Sequence, residues 1–234
     1  MEYEIKGGPF PVVVCKLQKG ATMKNETGAM SFMTSNMQME TSTGGGLLKG
    51  IGRALSGDTL FLNYFTAQSD NEKIGFSSCV PGKILPINLN GTEIIGQKNA
   101  FLAAEDSVDV DIYFKKKLGA GLFGGEGFIL QKFSGNGMVF LEIDGEVIEK
   151  DLQPGEKILL DPGHLAAMEP TVDFDVEMVK GAKNILFGEG LFFTTLTGPG
   201  KVWVQTMPLS KLAAALIPFL PKPDSDQGFD SFFD

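Results

Sequence analysis

The chain carries a single histidine, His164, so its residues limit the chemistry before any fold is considered. One imidazole nearly excludes a Ser-His-Asp arrangement with a spare histidine, and it excludes a multi-histidine metal site within one chain. Set in the apolar run Gly163-His164-Leu165-Ala166-Ala167-Met168, it reads as a packed or hydrogen-bonded structural residue. The two cysteines, Cys15 and Cys79, have neither a Cys-x-x-Cys partner nor a flanking histidine. They read as reduced, buried thiols of a cytosolic protein. The carboxylate pairs Asp109/Asp111 and Asp173/Asp175 stand at i, i+2, a spacing that puts both on one face of a strand, where acid–base work is conceivable. Because each pair alternates with apolar residues, a solvated strand face is the favoured reading. Gly119-Ala120-Gly121-Leu122-Phe123-Gly124 fits G-x-G-x-x-G by letter. It leads into the strand-like Phe128–Phe133 rather than opening a helix, so it reads as a turn and not a dinucleotide site. Lys49 after Gly44-Gly45-Gly46 lacks the Gly-Lys-Ser/Thr order of a phosphate loop. Lys115-Lys116-Lys117 is the one basic run, and it reads as a solvated turn after a strand.

No reactive constellation emerges, and composition points the same way. With 234 residues the chain is long enough for one or two domains and a real core. Apolar residues at 43 %, charged residues at 21 % and a mean hydropathy of +0.06 describe a soluble globular protein. Thirty glycines and nineteen phenylalanines imply many tight turns between strands. The net charge of −9 argues against nucleic acid as a partner, since such binding rests on Lys and Arg neutralising phosphates. The opening Met1–Phe10 has acidic residues and no apolar core, and the longest apolar stretch, Leu212–Leu220, is broken by Pro218. It is shorter than the roughly 18 residues that cross a bilayer. A cytoplasmic protein with no stable membrane insertion is expected.

Internal repetition organises the rest. Gly125–Glu142 matches Gly188–Gln205 without a gap, with Phe133 on Leu196 and Phe140 on Trp203, and Gly57–Gln68 matches the first part of the same pattern. A second element recurs in between: Pro162–Val179 sets beside Asn99–Phe114, with Leu165 on Leu102, and Gly28–Glu40 places Met30 on Leu165. Three tandem units of about 60 to 65 residues result. Their expected bounds are 1–56, 57–123 and 124–206, followed by a short helix in 207–221 and an acidic, Phe-containing tail, 222–234, read as disordered. In Val172–Met178 apolar and acidic residues alternate strictly, which is a half-buried strand. Asp144-Gly145 between alternating residues predicts a hairpin, and Gly135-Asn136-Gly137 and Gly198-Pro199-Gly200 supply equivalent turns. Helix is expected only at Gly46–Leu55, an amphipathic stretch, and at Ser210–Ile217 with Ser210 as N-cap. A 60-residue unit alone has a marginal core, whereas units packed edge to edge share it. Unpaired outer edges then invite a second copy, and a cyclic oligomer follows.

Gly44–Asn63, Leu118–Gly127, Asp161–Met168, Leu186–Gly190 and Gly198–Thr206 together resemble the altered-inheritance-of-mitochondria protein family, a bacterial family of unknown function. The resemblance covers nearly all of Met1–Thr206. It implies an all-β fold like that of the tryptophan RNA-binding attenuation protein (TRAP), a β-sandwich or short double-stranded β-helix repeated three times in a pseudo-threefold arrangement. It also implies a homotrimer presenting nine units as a ring, and it brings no catalytic residues. Three copies of His164 at a trimer axis would be needed for a zinc site, yet Phe101 and Ala29 occupy the matching places in the other units. The expectation is therefore a non-enzymatic scaffold or protein-interaction protein with no catalytic, cofactor or metal residues. The alternative is a small-ligand-binding ring with sites between repeats or subunits.

Overall fold

The computed structural model describes residues 1–26, 28–42, 62–116, 127–178 and 192–220. Nineteen strands carry these residues into four antiparallel sheets, with one short helix. The first sheet holds β1 (Glu2–Lys6), β2 (Val12–Leu17), β7 (Glu72–Ser77) and β4 (Met30–Met33), in that order. In the second, β5 (Met37–Ser42), β6 (Leu62–Ala67) and β3 (Thr22–Glu26) continue into β10 (Phe101–Glu105), β13 (Met138–Asp144) and β8 (Gly82–Asn88). The third runs β11 (Val108–Lys116), β12 (Phe128–Gly135), β9 (Glu93–Gln97), β16 (Leu165–Met168), β19 (Gly200–Gln205), β14 (Val147–Leu152). The last is β15 (Lys157–Leu160), β18 (Phe192–Thr197), β17 (Asp173–Met178). Counting six strands onward from each member of the second sheet gives the order of the third.

Alternation drives this layering. In β2 the side chains Val13, Cys15 and Leu17 are buried while Val12, Val14 and Lys16 are half-buried, so one face meets a core and the other is partly wet. Three apolar clusters fill the space between sheets. One gathers Cys15, Phe65 and Phe76, one Phe101, Phe133 and Leu141, and one Phe128, Leu130 and Leu196. Phe101 and Phe133 pack ring on ring with centroids 5.3 Å apart.

Several local expectations are corrected. Asp144-Gly145 is a turn, with Gly145 at φ +78° where a side chain would be strained, but it does not close a hairpin. β13 pairs with β8 and β10, whereas β14 pairs with β19, so the chain changes sheet at this turn. The same holds at Gly135-Asn136-Gly137 and at Gly198-Pro199-Gly200, where β12 and β13, and β18 and β19, lie in different sheets. The hairpins are instead β1/β2, β5/β6, β11/β12 and β17/β18. The last three are joined by segments 43–61, 117–127 and 179–191. The helix, α1, spans Leu209–Leu216 after Pro208, and Ser210 does not cap it. A distant carboxylate does that, because Leu209 N–H donates to Asp144 Oδ2 at 2.7 Å. The expected helix at 46–55 and the tail 222–234 lie outside the described residues.

One irregularity recurs. A one-residue bulge breaks β4 against β7 between Met30 and Phe32, β10 against β13 between Phe101 and Ala103, and β16 against β19 between Leu165 and Ala167. The bulge therefore sets Phe101, not Leu102, at the place of Leu165.

Candidate functional site

Among the described residues, those singled out for chemistry do not converge, and Lys49 and Lys117 lie outside the described residues. His164 ends a short 3-10 turn, and its Nδ1 lies 2.7 Å from the Gln205 carbonyl oxygen. Among the described residues no cluster of three or more His, Cys, Asp or Glu is arranged to hold a metal. Asp109, Asp173 and Asp175 are exposed on β11 and β17, and Asp175 Oδ1 accepts the Val176 N–H. The lysine run is not a turn at its start, since Lys115 and Lys116 continue β11 opposite Ile129 and Phe128. Residues 119–124 lie outside the described residues. Of the two free thiols only Cys15 is buried. Burial, then the Glu105 charge, pushes it up to about 12, which makes it inert. Cys79 is exposed, correcting the expectation of two buried thiols. Partial burial and the Glu142 charge raise its thiol as well.

A cleft of about 610 Å³ opens beneath α1, at a place no sequence motif marks. Gln97, Gln205, Asp144 and Glu26 contribute polar lining, while Ala213 and Ile217 of the helix contribute an apolar wall. Its polar groups are largely engaged in holding the fold. Gln205 Nε2 donates to the Gly163 carbonyl at 2.8 Å, its Oε1 accepts the Asp144 N–H at 3.1 Å, and Glu26 Oε1 accepts from the buried Gln131 Nε2 at 2.7 Å. Burial raises the Asp144 carboxyl, and the Leu209 N–H it accepts partly offsets this. The Lys211 ammonium, 3.3 Å from Asp161 Oδ2, ties the helix down from another side. Such a cleft can seat a small molecule by shape and hydrogen bonds, but among the described residues no nucleophile stands hydrogen-bonded to a base in it.

The open strand edges form the other candidate. Among the described residues β4 ends the first sheet and β15 ends the last, and both carry apolar side chains in water: Phe32 is 45 % exposed, Met33 37 % and Leu159 61 %. Edges of this kind are templates for another chain. The outer strands of the longer sheets, β5, β8, β11 and β14, are edges too, so closing a ring of chains would not remove every edge. No helix among the described residues is long and apolar enough to cross a membrane.

Comparison with known proteins agrees with an all-β architecture. The profile of a family described as Mitochondrial biogenesis AIM24 matches residues 3–207. An uncharacterized protein of Streptococcus pyogenes is 28 % identical over 221 residues, spanning 91 % of this chain and 88 % of its own length. The crystal structure of a Streptococcus pyogenes protein superposes with a TM-score of 0.77 at 24 % identity, covering 94 % of this chain and 99 % of that one.

Proposed function

The chain belongs to the AIM24 family, and on that premise we propose that it is a non-enzymatic, oligomeric scaffold or protein-interaction protein that works as a homotrimer of TRAP-like units. The observation that carries this reading is the pair of apolar open edges, β4 and β15, beside candidate reactive residues that, among the described residues, are scattered or committed to the fold. Support for three units comes from the connection pattern. β2–β7, β8–β13 and β14–β19 each enter two sheets in the same order, and each has its bulge in the third strand. In this reading the units begin at β2, β8 and β14. Neighbouring units then share a sheet, β2–β7 with β8–β13 and β8–β13 with β14–β19. Native mass spectrometry of protein purified gently from its own cells tests the proposal. A species of about three times the 25.2 kDa chain is expected, and a lone 25.2 kDa species at micromolar concentration overturns it.

The cleft under α1 favours a second reading, a ring that binds a small ligand. A metabolite screen by thermal shift separates the two. A ligand present at a hundred times its dissociation constant adds about 2.7 kcal/mol of stability, and the scaffold reading expects no such compound.

A further inference from the structure

The same junction between half-sheets is built twice inside the chain. In the second sheet β3 meets β10 with Lys24 opposite Ala104 and Met23 opposite Glu105. In the third, β9 meets β16 with Ile95 opposite Met168 and Gly96 opposite Ala167. Two internal landmarks show that the register is the same. Ala104 and Met168 are each the second paired residue beyond the bulge of their strand. Lys24 and Ile95 each lie opposite a matching position of the following hairpin, Tyr64 and Lys132.

These landmarks also exist on β4 and β15, whose second edges meet no strand among the described residues. On β4 the second paired residue beyond the bulge is Met33. On β15 the residue opposite the matching hairpin position, Thr195, is Leu159. Side chains at the two internal junctions are out of water: Ala104 and Met168 are 0 % exposed, Ile95 1 % and Lys24 6 %. Their counterparts Met33 and Leu159 are 37 % and 61 % exposed, and Phe32, the counterpart of Ala103 and Ala167, is 45 % exposed. An apolar pair stands in water at the place where the rest of the fold puts a buried pair.

We infer that β15 of one copy adds antiparallel to β4 of a second copy with Leu159 opposite Met33 and Leu160 opposite Phe32. The inference rests on the oligomeric reading above and specifies its joint. The four-stranded first sheet and the three-stranded last sheet become one sheet in the order β1-β2-β7-β4-β15-β18-β17, the counterpart of the two six-stranded sheets with β1 added. The contact is heterologous, β15 onto β4, so each copy uses one edge to give and the other to receive, and the assembly closes when rotation per copy permits. Directly opposed residues of an antiparallel pair have their Cβ atoms about 4.5–5.5 Å apart, near the reach of a disulfide.

The test is a double variant, Met33→Cys with Leu159→Cys, in a Cys79→Ser background so that no native exposed thiol competes. Under mild oxidation the inferred register gives interchain disulfides in most chains, running as multimers on a non-reducing gel. A mis-registered control, Met33→Cys with Lys157→Cys, gives at least tenfold less. Should the chains assemble while the register pair stays uncrosslinked, or cross-link no better than the control, the joint is wrong and the oligomeric reading stands. A chain that remains monomeric at every concentration overturns both. Amide hydrogen exchange on the unmodified chain is independent of the cysteines. Residues 32–34 and 158–160 should exchange at least tenfold more slowly in the assembly than after dissociation by dilution, and equal rates refute the joint.

Discussion

Glu142 lies on β13, with its carboxyl withdrawn from water beside Ser78 and Asp144. Burial first, and then the Asp144 charge, pushes it up to about 7 from 4.5, while the hydrogen bond from Ser78 works the other way. Because the folded protein holds this proton more tightly than the unfolded chain does, stability falls as pH rises. Below pH 4.5 both states are protonated and nothing is lost. Between 4.5 and about 7 the unfolded chain ionises while the folded one resists, and above that range the penalty is constant. A displacement of this size has a ceiling of about 3 kcal/mol. Residual solvent contact brings the expected value nearer 1–2 kcal/mol. Glu142→Gln keeps an oxygen to accept from Ser78 and removes the charge, and Gln205 stands at the matching place on β19. Urea unfolding at fixed protein concentration, at pH 5, 6, 7 and 8, measures the difference between variant and wild type. The variant should gain progressively, from a few tenths of a kcal/mol at pH 5 to about 1–2 kcal/mol at pH 8. A difference that does not change across this range would refute the argument, since it would mean that Glu142 titrates alike in both states.

Phe133→Ala removes a fully buried ring that packs on Phe101, and a loss of about 3–5 kcal/mol in the same unfolding experiment is expected. Glu72 accepts hydrogen bonds from the hydroxyls of Ser69 and Thr34 and the amide of Asn36, which hold its carboxyl below its usual range. Its contribution is present above the ordinary carboxylate range and lost as pH falls through the lowered value. Glu72→Ala should therefore lower Tm at pH 7 and differ less from wild type near pH 3, as differential scanning calorimetry would show. Alkylation of the native protein should modify Cys79 and spare Cys15 until denaturant is added, and intact-mass spectra count the adducts. In the Glu142→Gln background the Cys79 reaction should quicken, because a charge that raises its thiol is gone.

What could be read from sequence was whatever depends on near neighbours. The alternation in Val172–Met178 and Asp109–Phe114 marks strands, and the structure carries strands there. The turn at Asp144-Gly145 was equally visible, but its consequence was not. Whether two strands joined by a turn pair with each other is decided by competitors such as β8 and β10, tens of residues away. Start signals for α1 failed for a related reason: the capping carboxylate is Asp144, 65 residues upstream of Leu209. Cys79 was misplaced because a general preference of thiols for interiors says nothing about a residue between the end of β7 and Pro81. The cleft has no signature in the sequence because its lining is drawn from β3, β9, the end of β13, the turn before β16, β19 and α1, none of them distinctive alone.

The sheets that mix early and late strands also constrain how the chain can be made. β3 ends at Glu26 and its neighbour β10 ends at Glu105. A ribosome adding about 5–20 residues per second leaves the first of these strands waiting for roughly 4–16 s before its sheet can extend. The same delay returns between β9 and β16, so although the first sheet can close once Ser77 has emerged, the second and third each wait for later strands. For those seconds the nascent chain displays the kind of bare strand edge that the completed protein retains at β4 and β15. Two copies growing side by side on one message are therefore open to joining with each other before either has joined with itself.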